Sequence, residues 1–109
     1  MTDAEGWSMR TLVGDDVVCV ALRGEIDLAA ADAVGRELRT VLDEYVVPLV
    51  LDLGDVTFLD SSGMRALLVA HRRSAAEGRA LTIVDASLPV RRVIELSGTA
   101  AMFALDPPT

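Results

Sequence analysis

The sequence has no lysine, one cysteine and one histidine, and these shortages exclude several kinds of chemistry. Without lysine there is neither a Walker-type phosphate-binding loop nor a Schiff base. One cysteine cannot form an intramolecular disulfide, and together with one histidine it cannot complete a zinc site. Cys19 lies in the alternating, β-branched run VVCVAL, so we interpret it as a buried core thiol without a functional role.

Long apolar segments and positive charge are also scarce. No apolar run approaches the roughly 20 residues of a membrane span, and the start, MTDAEGWSMR, lacks the apolar core of a signal peptide. We therefore expect no membrane association and a location in the cytoplasm. The net charge of -7 disfavours binding to nucleic acid or anionic lipid, so a protein is the expected partner.

The length and composition are typical of one folded domain. Of the 109 residues 51% are hydrophobic and 25% are charged, which suffices for a single core. We see no repeat or linker, and we expect one domain over residues 1–109 with a core at about 9–105. The first few residues and the final LDPPT look loosely held. The oligomeric state stays open between a monomer and a weak dimer, because we expect the Trp7 segment to be exposed.

The first half of the chain predicts a hairpin and then a helix. Two short strands are indicated by SMRTLV and VVCVAL, with GDD as a tight turn between them. The RGEID that follows interrupts the strand pattern. Apolar residues then recur at helical spacing from Ala31 to Tyr45, which predicts an amphipathic helix capped near Asp27.

The second half alternates strands and helices. After Pro48, LVLDL has the continuous apolar character of a strand buried on both faces. A helix with its apolar stripe from Met64 to Ala75 ends at Gly78, ALTIVD forms another strand, and SLPVRRVIELSG forms a last helix with Ser87 as N-cap. This order predicts an α/β fold in which helices flank a largely parallel sheet of four or five strands that opens with an antiparallel hairpin.

The segment DSSG, from Asp60 to Gly63, is the first candidate site. It lies between a strand and a helix, where Asp and Ser commonly cap the helix, so plain capping is one explanation. The same position places a serine hydroxyl beside the free N–H groups and positive end of a helix, where a phosphate is tolerated. A phosphoserine would add about -1.5 to -2 of charge beside Asp60 and alter a partner's binding surface.

The RGEID loop is the second candidate site. Because the carboxyl ends of parallel strands meet at one edge of a sheet, Glu25 and Asp27 would lie near Ser61 if the two strands are neighbours. Asp27 is equally suited to be the N-cap of the first helix, and the two roles are compatible.

A serine hydrolase is not supported by the sequence. Its nucleophile elbow requires G-x-S-x-G, and no glycine lies two residues before Ser61 or Ser62. His71 is ten residues further along the same helix, about 15 Å from Ser61 by the helical rise, and cannot act as its base. We expect His71 to be packed or half-buried, we interpret Arg91 and Arg92 as a solvated face, and we expect neither catalysis nor a cofactor.

Three spaced motifs resemble the STAS domain, and specifically its anti-sigma factor antagonists, which include regulators of sporulation and general stress in bacteria. They are RGEIDLAAA, LVLDLGDVTFLDSSGMRALL and SLPVRRVIELSG, and the resemblance covers roughly residues 9–105. It implies partner switching rather than catalysis. In that family an anti-sigma factor kinase with a histidine-kinase-like ATPase fold phosphorylates the serine after the signature Asp, and a serine phosphatase reverses the reaction.

The resemblance identifies Ser61 as the phosphorylated residue. It implies that Asp27 and Asp60 flank this site and that Ser62 supports the start of the helix. The unphosphorylated form would bind the anti-sigma factor and release a sigma factor. Further residues of the implied phosphosite neighbourhood are Glu25, Gly63, Met64, Arg65 and Val69.

Two of these residues raise alternatives. Arg65 departs from the family, many of whose members have a small residue there, and a long cation would change which kinase fits. Val69 lies on the same side as Arg65 and is a candidate partner contact, although single exposed valines are common. An alternative function is that of a STAS docking subunit in a transporter or a stress-signalling assembly, where Ser61 is not switched.

Overall fold

The structure is a computed structural model that describes residues 2–4 and 6–105. In that part of the chain three strands come first, and helices and strands then alternate. The elements in chain order are β1 (Thr2–Ala4), β2 (Trp7–Val13), β3 (Val18–Ile26), α1 (Leu28–Glu44), β4 (Leu49–Leu59), α2 (Ser61–Ala76), β5 (Leu81–Ala86) and α3 (Leu88–Leu96). Every element that the hydrophobic pattern predicts is present, and β1 is additional.

The strands form one sheet in the order β1-β2-β3-β4-β5. β1 and β2 pair antiparallel, as do β2 and β3, whereas β3, β4 and β5 are parallel neighbours. The predicted mixed α/β fold, with helices flanking a sheet that opens on a hairpin, is therefore confirmed. The expected interruption of the strand at RGEID is wrong, because β3 stays paired to β4 as far as Ile26 through two register shifts.

The ends of the described chain are better held than expected. Residues 2–4 form β1, and Trp7 is buried, so the prediction of an exposed Trp7 segment is wrong. Gly24 has a φ of +91°, and a Cβ there would clash with the carbonyl oxygen of Gly6. Because glycine has no Cβ, the turn at Gly6 can pack directly against β3. Leu105, expected to be loose, is buried, while the rest of the LDPPT segment lies outside the described residues.

The three helices cover one face of the sheet. In β4 the side chains of Leu49, Leu51 and Leu53 are buried, while those of Val50 and Asp52 are partly exposed. The buried side chains of the strands and of all three helices belong to one hydrophobic cluster. The prediction that LVLDL is buried on both faces is thus wrong, since within the described chain the opposite face of the sheet is open.

Cys19 lies on that open face. It is partly exposed and is the register partner of Val50, so its interpretation as a buried core thiol is wrong. The sequence VVCVAL alternates correctly, but alternation alone does not tell which of the two faces the helices will cover.

The smaller predictions about the helices are mostly confirmed. His71 is half-buried, where its Nε2 donates to the carbonyl oxygen of Met102 at 3.0 Å and its ring meets Phe103 edge-on at 5.2 Å. Gly78 follows the end of α2 with a φ of +73°. Ser87 occupies the N-cap position of α3, but its hydroxyl donates to the carbonyl oxygen of Val56 instead of accepting from the helix.

The helices are short relative to a membrane span or carry charged residues. Among the described residues, none of them combines the length and the apolar character needed to cross a bilayer.

Candidate functional site

Two neighbouring strands deliver the two predicted loops to the same edge of the sheet. The parallel pairing of β3 with β4 ends with Ile26 opposite Leu59. Asp27 and Asp60 are the next residues of each strand, and each one begins a helix. We predicted that the two loops would meet if their strands were neighbours, and β3 and β4 are neighbours. We call this edge, with Glu25, Asp27, Asp60 and Ser61, the acceptor edge.

Asp27 and Asp60 cap their helices in the same way. Oδ1 of Asp27 accepts from the N–H of Ala30 at 3.0 Å, and Oδ1 of Asp60 accepts from the N–H of Gly63 at 3.0 Å. Each carboxylate satisfies an N–H group that has no partner inside its helix. Plain capping is thus a real role of both residues, and it holds two negative charges beside Ser61.

Ser61 is the first residue of α2 and is exposed. Within residues 6–105 its hydroxyl has no hydrogen-bond partner, because Asp60 performs the capping. A modifying enzyme therefore has access to this hydroxyl without disrupting the start of the helix. Ser62 is partly buried beside it and faces the neighbouring helix α1.

Gly63 packs against the strand ends below the acceptor edge. A Cβ at this position would lie 2.5 Å from Cδ1 of Leu59 and 2.7 Å from the carbonyl oxygen of Ile26. Only glycine allows α2 to begin so close to β3. Met64 is buried in the core, so this predicted neighbour of the site supports the edge from beneath and is not available as a contact surface.

Exposed apolar side chains surround the acceptor edge. Leu28 is 73% exposed, Leu88 67% and Phe58 47%. Leu28 follows the cap residue Asp27, Leu88 follows the cap position Ser87, and Phe58 is the register partner of the exposed Glu25. We did not predict these three residues from the sequence. The signal for Leu28 and Leu88 is an apolar residue directly after a helix cap, outside the apolar stripe that the rest of the helix buries, whereas Phe58 lies within β4 and has no such signal.

A groove runs from Ser62 along the junction of α1 and α2. Its volume is about 450 Å³, and small residues form its floor: Ala31, Gly35, Ala66 and Ala70. Val69, which is 51% exposed, lies in this groove with the exposed Arg65, as their shared side of the helix predicts. The lining carries more positive than negative charge, with Arg39 and Arg65 against Asp32, while its third arginine, Arg73, is paired with Asp43 and Glu77. The groove is therefore suited to a partner surface that combines apolar and acidic groups.

His71 contacts Met102 and Phe103, and its side chain is not part of the acceptor edge. In the described ranges, residues 2–4 and 6–105, no three His, Cys, Asp or Glu side chains are grouped closely enough to hold a metal ion. What the acceptor edge offers is an accessible hydroxyl, two capping carboxylates and a rim of apolar side chains.

Comparison with known proteins agrees with this geometry. The STAS domain model matches residues 8–108. BtrV of Bordetella bronchiseptica, a protein named as an anti-sigma factor antagonist, is 32% identical over 90 residues, which are 82% of this chain and 77% of BtrV.

Two solved structures share the fold. A crystal structure of an anti-sigma factor antagonist from Mycobacterium paratuberculosis is 28% identical, with a TM-score of 0.82 over 99% of this chain and 92% of the other. The phosphorylated form of the Bacillus cell fate determinant SpoIIAA is 22% identical, with a TM-score of 0.69 over 88% of this chain and 87% of SpoIIAA. The second likeness concerns the fold alone.

Proposed function

The chain belongs to the STAS domain family, and we propose that it is an anti-sigma factor antagonist that switches partners at Ser61. In its unphosphorylated form it binds an anti-sigma factor that is also a serine kinase with a histidine-kinase-like ATPase fold, and a sigma factor is released. Phosphorylation of Ser61 ends this binding, and a serine phosphatase restores it.

The observation that carries the proposal is the position of Ser61. Its hydroxyl is exposed at the start of α2 and makes no hydrogen bond to the described residues, while Asp60 alone satisfies the helix N–H group. The exposed Leu28 and Phe58 beside it give a partner an apolar surface to cover. A phosphate placed there changes the surface and leaves the core untouched.

Electrostatics explains why a phosphate would release the partner. The added charge of about -1.5 to -2 joins the carboxylates of Asp27 and Asp60 at an edge that the partner must cover and dry. Burying a charge without a matching cation costs about 3 kcal/mol or more, and each 1.4 kcal/mol is about a tenfold change in affinity. We therefore expect phosphorylation to weaken binding by about a hundredfold or more.

Arg65 gives the switch a second element. It lies four residues after Ser61 in α2, so the two side chains are neighbours on the helix surface. A phosphate on Ser61 attracts this guanidinium, which otherwise contributes positive charge to the groove between α1 and α2. Phosphorylation thereby alters both the acceptor edge and the groove, and Arg65 restricts the choice of kinase.

The proposal has further parts that follow from family membership. The chain acts by binding and not by catalysis, requires no cofactor, and regulates a bacterial stress or sporulation response from the cytoplasm. Residues 1–109 act as a single STAS domain with a core at about 9–105. Glu25 and Val69 are the outer contacts of the partner surface, on either side of Ser61.

The test compares Ser61→Ala and Ser61→Asp as baits in pull-downs from the native cytoplasm, followed by affinity measurement with the purified partner. We expect a kinase-like ATPase to bind Ser61→Ala and to bind Ser61→Asp about a hundredfold more weakly. Thr40→Asp, which adds the same charge to an exposed position of α1, is the matched control and should bind normally.

A stability measurement is the control for this comparison, and one outcome would contradict the switch. The unfolding free energy of Ser61→Asp should stay within about 0.5 kcal/mol of wild type, because the residue is exposed and a negative charge suits a helix start. Transporter or large-assembly subunits held equally by both baits would contradict the switch and favour the constitutive docking role.

A further inference from the structure

The open face of the sheet carries an ordered pattern of charge. Two rows of outward-facing residues cross the four strands from β2 to β5, as the strand registers show. The first row is Leu12, Cys19, Val50 and Thr82, and the second is Arg10, Ala21, Asp52 and Asp85. The first row is mainly apolar, and the second runs from positive charge on β2 to negative charge on β4 and β5.

The negative side of the second row is concentrated around Gly54. A Cβ on Gly54 would lie 2.6 Å from Oδ2 of Asp85 and 3.2 Å from Oδ1 of Asp52, so both carboxylates stand over the same residue. Each of them accepts one backbone N–H, from Gly54 at 2.9 Å and from Ala86 at 2.9 Å. In the described part of the chain neither carboxylate has a salt bridge.

The positive side of the same row is equally unpaired. Arg10 is exposed, and its register partner is the uncharged Ala21. Among the side chains of residues 6–105, none forms an ion pair with Arg10. The face thus presents a cation on β2, carboxylates on β4 and β5, and apolar side chains in the adjacent row, of which Leu12 is 47% exposed.

This pattern matches itself under a twofold rotation. The twofold axis runs parallel to the strands, above the open face and between β3 and β4. Rotation about it brings a second sheet face to face with the first. Each row then lies opposite the same row of the partner, with the strands in reverse order. Arg10 then faces the partner's Asp85, and by symmetry the reverse contact also forms. In the apolar row Cys19 faces the partner's Val50. In the second row Asp52 faces the partner's uncharged Ala21, so the charge pairing across the axis is between Arg10 and Asp85.

We propose that the open face of the sheet is a self-association surface, on which two copies pack sheet against sheet with Arg10 opposite the partner's Asp85. The pattern favours a second copy over an unrelated protein, because one rotation forms the contact of Arg10 with Asp85 twice and sets the apolar row against itself. Ser61 lies at the start of α2, in the helical layer, so the dimer leaves its hydroxyl accessible, although Glu25 of the acceptor edge belongs to β3. The proposal therefore stands or falls separately from the switch.

Charge reversal of single residues tests the surface. Sedimentation of the full chain over micromolar to millimolar concentrations should show a monomer–dimer equilibrium that weakens with added salt. Arg10→Glu and Asp85→Arg should each raise the dissociation constant of the dimer by about tenfold or more, because like charges then meet twice across the axis. Arg36→Glu, which makes the same charge change on the exposed side of α1, should leave it unchanged.

Mixing the two variants distinguishes this pairing from a general charge effect. In a mixed dimer of Arg10→Glu with Asp85→Arg, both contacts across the axis again join opposite charges. The mixture should therefore dimerise with about the wild-type constant, although neither variant does so alone, and the double variant should behave likewise. A wild-type chain that is monomeric at every concentration would overturn the proposal, as would a mixture that stays monomeric.

Cys19 supplies an independent readout on the same face. Its thiol pKa is raised by burial and by the negative charge of Asp52, so alkylation is best followed at alkaline pH. Because Cys19 faces the partner in the proposed dimer, its labelling rate per protein should fall as the concentration rises through the dissociation constant. A dimer whose Cys19 labels as fast as the monomer would place the interface elsewhere and contradict the proposal.

Discussion

The two ends of the helical layer are built in different ways. At the acceptor edge α1 and α2 each begin with one side-chain cap, Asp27 or Asp60, and Ser61 stays open. At the opposite end, where both helices finish, two arginines are held in a network. Arg73 pairs with Asp43 at 2.5 Å and with Glu77 at 3.2 Å.

Arg79 is the centre of that opposite end. Its side chain is 9% exposed, donates to the carbonyl oxygens of Leu42 and Tyr45, and pairs with Glu77. Leu42 lies in the last turn of α1 and Tyr45 is its C-cap, and carbonyl groups at these positions have no partners inside the helix. At the acceptor edge two carboxylates each make one cap hydrogen bond and Ser61 takes no part, whereas at the opposite end the charged side chains contact one another. We therefore expect a charge change at Ser61 to cause no large loss of stability.

The largest expected effect is a loss of stability from a substitution at the acceptor edge. Gly63→Ala should lower the free energy of unfolding by about 3 kcal/mol, because the new Cβ would lie 2.5 Å from Leu59 and 2.7 Å from the carbonyl oxygen of Ile26. Urea unfolding measures the change. Gly35→Ala is the matched control, since its Cβ would meet only Ala66 at 3.9 Å, and it should stabilise by about 0.5 kcal/mol. Equal effects of the two substitutions would contradict the packing argument.

The next effect concerns the opposite end. Arg79→Met should cost about 2 kcal/mol in unfolding free energy, because the buried side chain no longer satisfies the carbonyls of Leu42 and Tyr45. Arg36→Met on the exposed side of α1 should change it by less than about 0.5 kcal/mol. If thermal and urea unfolding found the two variants alike, Arg79 would not be the group that holds the end of α1.

The smallest expected effect is a change in how stability depends on pH, and it concerns Glu77 at the opposite end. The hydrogen bond from Arg79, and next that from Arg73, lower the pKa of the Glu77 carboxyl below its ordinary value of 4.5. A carboxyl with a lower pKa in the folded state stabilises the protein above its unfolded pKa, and this contribution disappears as the pH falls through the folded pKa. Glu77→Gln should therefore be less stable than wild type near neutral pH, with a difference that shrinks in acid.

The matching control for this titration is Glu95→Gln, at an exposed position of α3. Its stability difference from wild type should not vary with pH in the same range. A Glu77→Gln difference that stays constant from neutral to acidic pH would show that the charge of Glu77 is not what supports this end of the molecule.

Several features of the site were predictable because they depend on residues close together in the chain. Asp60 precedes a helical pattern, so its role as N-cap and the place of Ser61 at the first turn follow from local preference. The meeting of Asp27 with the same edge required only that two consecutive parallel strands be neighbours. The spacing of apolar residues places Met64 in the buried stripe of α2, and the structure agrees, whereas its place in the phosphosite neighbourhood came only from the resemblance.

The sequence by itself determined the periodic elements, the caps and the placement of Ser61 at a helix start, since each arises from contacts within a few residues. The tertiary structure alone decided which face of the sheet the helices cover, and with it the exposure of Cys19. It also gathered Leu28, Phe58 and Leu88 at one edge and set Arg10 and Asp85 in one row. The physical reason is that strand register and helix packing join residues from distant parts of the chain.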